Sequence, residues 1–399
     1  MSVDEAQVRA AAGAVTDPEL RRTLAELGMV RSVSVRRKRV SVDLAVPVGQ
    51  YPQVEELVAR VRGAVGALPG VDEVGGEVAV MNEDERRRVR LLLRGEPLDG
   101  GVSAYAEENG HDHDPGHGGQ VGHGGQLGHE EGRPNRFMLP RSSTRVIGIS
   151  SGKGGVGKSS VTVNLAVALA QQGHDVGILD ADVYGFSVPK MLGVRTDPLI
   201  IDDLVIPPTV HGVRCLSMGF FVPDETPVIW RGPMLHKALE QFLVDAYWGE
   251  PDFLLVDMPP GTGDVTLSLG QYLTKTEVFV VTTPQAAAQR VAQRSAYAAR
   301  KLKLAVRGVI ENMSWFTADD GTRYELFGAG GGQSLARELG VPLLAQVPLV
   351  PALREGGDVG VPVMVSDPGG EAARAFSGLA EQLVGLGPAR VYRQELTVH

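Results

Sequence analysis

Residues 145–160 read RVIGISSGKGGVGKSS and decide the fold. An apolar run typical of a buried strand enters a glycine-rich loop, and the residues after the loop are predicted to form a helix. Strand, glycine loop and helix in this order are typical of a phosphate-binding loop at the carboxyl end of a parallel strand. The alternative is a turn that only links a strand to a helix, and it leaves most of this string unexplained.

The composition of the loop suits a nucleoside triphosphate. Backbone N–H groups can surround phosphate oxygens only where no Cβ blocks the approach, and the positive end of the following helix points at the same place. Lys158 is expected to neutralise the β- and γ-phosphates. The Ser159 hydroxyl is expected to bind Mg²⁺, a cation that prefers oxygen ligands. The predicted nucleotide-binding residues are Gly152, Lys153, Gly154, Gly155, Val156, Gly157, Lys158, Ser159 and Ser160.

Lys153 departs from the ordinary phosphate-binding loop. It lies too far upstream of Lys158 to take the same place. Its charge can instead reach phosphates bound to a facing subunit, as an arginine finger does, and a two-fold dimer would make this exchange twice. This interpretation makes Lys153 a catalytic residue beside Lys158. A solvated surface lysine is the second interpretation, and the spacing leaves both open.

Acidic residues end two later apolar strands. Residues 176–180 end in Asp180, with Asp182 two positions further on, and residues 253–257 end in Asp257. Because ligands of an open parallel sheet bind beyond the carboxyl ends of its strands, these carboxylates are expected to face the loop. We assign Asp257 to outer-shell Mg²⁺ binding, Asp182 to orienting the attacking water, and Asp180 to supporting the metal site. One such Asp alone is usually a cap or turn residue, but two strands with this pattern favour the functional interpretation.

Several further blocks resemble a known family. They are DADVYGFSVP at 180–189, PVIWRGPM at 227–234, VDMPPGTGD at 256–264 and ENMS at 311–314. Together with the doubled-lysine loop, they resemble the Mrp/ApbC-type iron–sulfur cluster carrier ATPases, which belong to the MinD/ParA superfamily of deviant-Walker P-loop NTPases. The resemblance implies a homodimer that binds and hydrolyses ATP with Mg²⁺. It also implies iron–sulfur client or scaffold proteins as partners, and Asn312 as the residue that contacts the adenine edge.

The composition limits the class of protein. The chain has 399 residues, of which 43% are hydrophobic, and this allows more than one core-bearing domain. No apolar run approaches the roughly 20 residues of a membrane span, and the start lacks the plan of a signal peptide. With one cysteine there is no disulfide framework, so we expect a cytoplasmic protein without a membrane anchor. The net charge of −9 argues against nucleic acid as a partner.

Three segments are predicted. Residues 1–98 form a small α+β domain, residues 99–140 a disordered Gly/His-rich linker, and residues 141–390 a P-loop ATPase domain. Short apolar strands alternate with helical stretches in the last segment, which predicts an α/β fold with a mostly parallel sheet covered by helices on both faces. Its predicted strands are 145–150, 176–180, 253–257, 277–283, 307–311 and 342–346, with helices at 286–302 and 371–386 and a strand pair within 199–216.

The first segment has its own pattern. We predict an interrupted helix over 8–27, a hairpin of 30–35 and 40–46, a helix over 54–68 and an edge strand within 71–80. The segment resembles the small metal–sulfur cluster assembly domain that is often fused in front of Mrp proteins, through DPEL at 17–20, LGMV at 27–30 and NEDERR at 82–87. That family commonly has a reactive Cys before a Pro, where this chain has VGQYP at 48–52.

Thiols are also missing from the ATPase segment. Many carriers of this type have Cys-x-x-Cys after the ENMS block, whereas residues 315–327 contain no cysteine. Cys215 lies in an apolar run and is predicted to be a core residue. A dimer would supply two of the four thiolates that usual clusters require. Asp319, Asp320 and Glu325 are hard ligands that suit a solvated turn better. Whether this chain itself binds an iron–sulfur cluster is therefore left open.

Three functional hypotheses follow. The first is an ATPase that assists iron–sulfur cluster assembly or transfer to client apoproteins. The second is a ParA/MinD-like regulatory ATPase switch that carries no cluster itself. The third is a metal-binding protein whose histidine-rich linker holds Zn²⁺ or Ni²⁺, although a flexible tether is the simpler interpretation of that linker.

Overall fold

The computed structural model describes residues 3–96, 135–139, 141–183, 185–221, 232–261 and 264–389. Most of the predicted linker lies outside this part of the chain, as do Tyr184, most of the 227–234 block, and residues 262–263. The chain falls into two compact units. The first unit combines the N-terminal region with Pro198–Ile206 and Asp245–Gly249, and the second contains Arg133–Asp197, Pro207–Val244 and the residues from Glu250 onwards.

The helices and strands are as follows in chain order. Those before the linker are α1 (Glu5–Gly13), β1 (Val30–Arg36), β2 (Arg39–Val46), α2 (Val54–Gly66), β3 (Glu73–Gly75), β4 (Val78–Val80) and α3 (Glu83–Arg94). Next come β5 (Arg145–Ser151), α4 (Lys158–Gln171), β6 (Val176–Asp180), α5 (Val188–Leu192), β7 (Leu199–Ile201), β8 (Leu204–Ile206), β9 (Thr209–Val210) and β10 (Val213–Ser217). The remaining elements are α6 (Gly232–Val244), β11 (Phe253–Asp257), α7 (Asp264–Tyr272), β12 (Glu277–Thr282), α8 (Ala286–Lys301), β13 (Ala305–Glu311), β14 (Phe316–Thr317), β15 (Arg323–Tyr324), α9 (Gly331–Leu339), β16 (Leu343–Gln346), α10 (Pro351–Val359), α11 (Val363–Ser366) and α12 (Glu371–Gly385).

The second unit is built on a sheet of eight strands in the order β16-β13-β12-β5-β11-β6-β10-β9. Neighbouring strands are parallel except for β9 and β10. Phe279 and Val281 of β12 join one apolar core with α4 and α12, whereas Val278 and Val280 join another with α8 and α9. Because alternate side chains of a strand point to opposite faces, helices cover both faces of the sheet. The predicted fold class is confirmed.

The first unit is a small α+β unit. β1 and β2 pair antiparallel, as predicted, and β2 pairs in parallel with β3 and β4. The second half of the helix predicted over 8–27 does not form, and α1 ends at Gly13. The chain turns instead because the Asp17 carboxylate accepts hydrogen bonds from the backbone N–H groups of Glu19 and Leu20, at 3.0 and 2.7 Å.

The helices of the described residues include none with both the length and the apolar character of a membrane span.

The strand pair predicted within 199–216 forms two separate pairs, because the chain passes from one unit to the other between them. β9 and β10 lie in the second unit, where β10 extends the sheet beside β6. β7 and β8 form a hairpin in the first unit, with its inward side chains in the same apolar core as those of α2 and α3. The buried side chains of this hairpin are Leu199, Ile201, Leu204, Val205 and Ile206.

Ion pairs also hold the β7–β8 hairpin. Nη1 of Arg90 in α3 lies 3.0 Å from Oδ1 of Asp203 in the hairpin turn, and Nη2 of Arg94 lies 2.8 Å from Oδ2. Burial raises the pKa of Asp203, but the two guanidinium groups outweigh this effect and keep the pKa below its ordinary value. The hairpin is therefore part of the first unit, although its sequence interrupts that of the second.

Candidate functional site

The glycine loop between β5 and α4 leaves no room for side chains at two positions. A Cβ at Gly152 would lie 2.2 Å from the carbonyl carbon of Val291 in α8. A Cβ at Gly157 would lie 2.2 Å from Nδ2 of Asn312, and Gly157 has a φ of +79°, which favours glycine. Both glycines thus allow the loop to pack closely on its neighbours while its backbone stays open to phosphate oxygens.

Lys158, Ser159 and Asp257 are brought together as the sequence predicted. Nζ of Lys158 lies 2.6 Å from Oδ2 of Asp257, and the Ser159 hydroxyl donates to the same oxygen at 2.6 Å. The Asp257 side chain is fully buried, and the Lys158 side chain is 7% exposed. This proximity follows from the sheet, because β11, which ends in Asp257, pairs directly with β5, which leads into the loop.

Thr162 is a site residue that the sequence reasoning missed. Its hydroxyl donates to Oδ1 of Asp257 at 2.7 Å, so both carboxylate oxygens of Asp257 have donors. Thr162 lies one helical turn after Lys158, and this spacing was the available signal. The Ser159 hydroxyl and the Asp257 carboxylate are hard oxygen groups that meet beside the loop. Such groups suit Mg²⁺, and the metal roles assigned to Ser159 and Asp257 stay predictions.

Asp182 and Asp180 lie in the same neighbourhood with different surroundings. Oδ2 of Asp182 is 3.8 Å from Nζ of Lys158. Asp180 is fully buried beside Asp257 on the neighbouring strand. Burial, and then the charge of Asp257, raise the pKa of Asp180 to about 7. The predicted catalytic and metal-supporting carboxylates are thus both close to the loop, and their roles stay predictions.

Asn312 lies against the glycine loop. Its Nδ2 donates to the backbone carbonyl of Val156 at 2.9 Å, and its backbone N–H donates to Thr282 at 2.8 Å. Because the Val156 carbonyl is an acceptor, the amide nitrogen of Asn312 faces it and the amide oxygen Oδ1 points away. This Oδ1 is buried and has no hydrogen-bond partner among the described residues. A buried acceptor without a donor is costly, and the adenine contact assigned to Asn312 stays a prediction.

Lys153 is half-buried in the loop, and its ammonium group forms no ion pair with any described residue. No described carboxylate therefore competes for its charge. Both interpretations of Lys153 therefore stay open: it contacts phosphates bound to a facing subunit, or it is a solvated side chain.

The region where many carriers have Cys-x-x-Cys forms the small β14–β15 hairpin. Thr317 and Arg323 both donate to the Glu371 carboxylate, at 2.9 and 3.0 Å, and the Arg323 guanidinium lies 4.6 Å from the centre of the Trp315 ring. The contacts with Glu371 hold the hairpin against the start of α12. Among the described residues there is no group of three or more His, Cys, Asp or Glu side chains that could hold a metal ion.

The two positions that concern thiol chemistry are both enclosed. Cys215 is fully buried, as predicted, and burial raises the pKa of its thiol well above the ordinary value. Tyr51 stands directly before Pro52, and its hydroxyl donates to Oδ1 of Asp17 at 2.8 Å. Neither position presents a thiolate to a cluster.

A glycine loop at the start of a helix, with its lysine bound to a carboxylate at the end of the adjacent strand, defines a P-loop nucleotide hydrolase. The family model of the NUBPL iron-transfer P-loop NTPases matches residues 142–384. The chain belongs to this family. A second model, described as an iron–sulfur cluster assembly protein, matches residues 5–75 in the first unit.

Individual relatives agree with this assignment. A protein of Mycobacterium tuberculosis strain ATCC 25618 / H37Rv, named iron–sulfur cluster carrier protein, is 41% identical over 95% of this chain and 92% of its own length. A Synechocystis protein of the same name is 39% identical over 93% of this chain and 94% of its own length. A solved nucleotide-binding protein from Archaeoglobus fulgidus, in complex with ADP, is 33% identical with a TM-score of 0.50, over 59% of this chain and 93% of that one.

Proposed function

We propose that the protein binds and hydrolyses ATP and thereby assists the assembly or transfer of iron–sulfur clusters to client apoproteins. The observation that carries this proposal is the convergence of Lys158 and Ser159 on one oxygen of Asp257, at 2.6 Å each, beside a glycine loop. The iron–sulfur part of the proposal has separate support. The chain belongs to a family described as iron-transfer P-loop NTPases, and its relatives are named iron–sulfur cluster carrier proteins.

The chain's own residues account for the handling of ATP. The loop N–H groups and the start of α4 bind the phosphates, and Lys158 exchanges its contact with Asp257 for the β- and γ-phosphates. Ser159 and Asp257 would hold Mg²⁺, which when bound would offset negative charge on the transferring phosphoryl group. Asp182 orients the attacking water. Oδ1 of Asn312 accepts a hydrogen bond from the adenine amine, and this contact favours ATP over nucleotides with other bases.

Lys153 is the residue that supports a homodimer. Its charge has no partner within the described chain, so a second copy that faces the loop across a two-fold axis would gain a cation at its own phosphates. We therefore propose a homodimer that closes on ATP, acts in the cytoplasm, and binds iron–sulfur client or scaffold proteins.

The place of the cluster is the point on which two candidate functions differ. Cys215 is buried, and the β14–β15 hairpin contains carboxylates instead of thiolates. We propose that a client or scaffold protein supplies the thiolates that bind the cluster. This chain would use ATP to change which of these proteins it binds. The same observation favours the second candidate, a ParA/MinD-like regulatory ATPase that handles no cluster.

Anaerobic cluster transfer tests the proposal. A cluster-loaded scaffold protein and an apo-ferredoxin are mixed with the purified chain, with ATP and Mg²⁺, and transfer is followed by absorbance. Acceleration by the wild-type chain and none by Lys158→Ala would support the proposal. ATP hydrolysis without any effect on transfer would favour the regulatory switch. A stable cluster on the purified chain that is lost in Cys215→Ser would instead show that this chain itself carries the cluster.

A further inference from the structure

The Asp180 carboxylate accepts hydrogen bonds from both ends of the loop that contains Asp182. Oδ1 accepts the backbone N–H of Asp182 at 3.2 Å, and Oδ2 accepts those of Ser187 and Val188 at 3.2 and 3.3 Å. Asp180 is fully buried, so its carboxylate does not exchange these donors for water. One side chain therefore closes the loop between β6 and α5.

A fourth donor fixes Asp180 itself and comes from another element. The Ser217 hydroxyl, at the end of β10, donates to Oδ2 of Asp180 at 3.1 Å, and Ser217 is fully buried. The Ser217 oxygen accepts the backbone N–H of Gly219 at 3.1 Å, so its single proton is directed to Asp180. The strand register places the two residues side by side, with Ser217 opposite Asp180 across the β6–β10 pair.

The contacts of Asp180 indicate a role different from that of Asp257. Asp257 accepts hydrogen bonds from Lys158, Ser159 and Thr162, which belong to the start of α4 beside the glycine loop. The donors to Asp180 among the described residues are instead backbone groups of the loop that contains Asp182, together with the Ser217 hydroxyl. Within that loop, Asp182 is the acid that faces the phosphate-binding lysine, with its Oδ2 3.8 Å from Nζ of Lys158. The arrangement suits a carboxylate that sets the position of its neighbour, because small displacements of a catalytic group cost much of its effect.

We propose that Asp180 and Ser217 are positioning residues for ATP hydrolysis: Ser217 orients Asp180, and Asp180 fixes the loop that presents Asp182 to the attacking water. This inference rests on the proposed ATPase function and deepens it. It adds Ser217, a residue of β10 outside the sequence blocks that suggested the site, and it replaces metal support by loop placement as the role of Asp180.

Two variants and one control test this inference in the full-length chain. Ser217→Ala removes only the hydroxyl, and Asp180→Asn keeps the side-chain shape but replaces one acceptor oxygen by a donor. Val213→Ala is the control, because Val213 is fully buried in the same strand and contacts none of these groups by hydrogen bond. It loosens β10 without touching the Ser217–Asp180 bond.

The measurements distinguish an effect on the position of Asp182 from an effect on Mg²⁺ binding and from a general loosening of β10. We expect kcat to fall about tenfold in Ser217→Ala and further in Asp180→Asn, as for the loss of a bond to a charged group, with KM for ATP and the half-saturating Mg²⁺ concentration changed less than about twofold. We also expect faster hydrogen exchange at the Ser187 and Val188 amides of the nucleotide-free chain. Val213→Ala should retain its kcat.

Specific outcomes would overturn the inference. A large rise in the Mg²⁺ requirement of Asp180→Asn would restore the metal-supporting role. An unchanged kcat in Ser217→Ala, or an equal fall in Val213→Ala, would show that the Ser217 bond has no particular part in turnover. If the wild-type chain hydrolyses no ATP, the proposed function fails instead. The exchange rates of Ser187 and Val188 then decide by themselves whether Asp180 and Ser217 hold the loop.

Discussion

Replacing Lys158 by Met gives a prediction that can be worked out from the structure. The change keeps the length of the side chain and removes its charge, which leaves the fully buried Asp257 carboxylate without the ammonium 2.6 Å away. Breaking one partner of a buried ion pair typically costs about 3–5 kcal/mol. The hydroxyls of Ser159 and Thr162 still donate to Asp257, so we expect the lower end, about 3 kcal/mol. For units of this size that corresponds to a fall in Tm of roughly 10 °C.

The same variant should also lose its response to nucleotide. A ligand at 100 times its Kd stabilises the folded protein by about 2.7 kcal/mol, so ATP with Mg²⁺ should raise the wild-type Tm by several degrees and leave Lys158→Met unchanged. Differential scanning calorimetry with and without nucleotide measures both effects in one series. Lys301→Met, at an exposed position in the last turn of α8, is the matched control. An ATP-dependent rise in Tm of wild-type size in Lys158→Met would refute the reasoning about the loop.

Four other variants each change one contact of the site or of the β7–β8 hairpin. Lys153→Ala should still bind ATP in a calorimetric titration but lose turnover by roughly a thousandfold if its charge acts in trans, and full turnover would leave only the solvated interpretation. Asp182→Asn should bind ATP and hydrolyse it roughly a hundredfold more slowly in single-turnover assays. Asn312→Ala should lose discrimination between ATP and GTP, measured as the ratio of kcat/KM values. Asp203→Asn should lower the unfolding free energy by about 1–2 kcal/mol at neutral pH. The depressed pKa of Asp203 means that its contribution is complete above about pH 4 and is lost as the pH falls through the folded value, so variant and wild type should converge in acid.

The sequence predicted the parts of the site that depend on local order. Lys158 and Ser159 follow a glycine loop and Asp257 ends an apolar strand, so the rule that parallel strands present ligands at their carboxyl ends was enough to bring them together. Ser217 and the Asp180 contacts were not predictable in this way. Ser217 lies 37 positions from Asp180, and only the strand order places β10 beside β6.

The helix prediction failed for a related reason. The predicted helix over 8–27 has its interruption near 16–20, but no helix resumes after it. The Asp17 carboxylate accepts the backbone N–H groups of Glu19 and Leu20, and the Tyr51 hydroxyl, from a distant part of the chain, also donates to it. A side chain that binds nearby backbone donors competes with a helix, and periodicity alone does not reveal when it wins. The assignment of the β7–β8 hairpin to the first unit was hidden likewise, because nothing in its own residues indicates which core it enters.

Because of the β7–β8 hairpin, the two units cannot be encoded by two separate continuous stretches of the gene. A fragment that encodes only the matched ATPase range, 142–384, would carry the apolar strands of the hairpin and its acidic turn without the helix and core that receive them. A fragment that ends before the linker would lack strands of its own interior. Truncation, domain exchange or splitting of this protein would therefore have to move three stretches of coding sequence as one, and a soluble half obtained by cutting at the linker would behave as a damaged piece rather than as an independent domain.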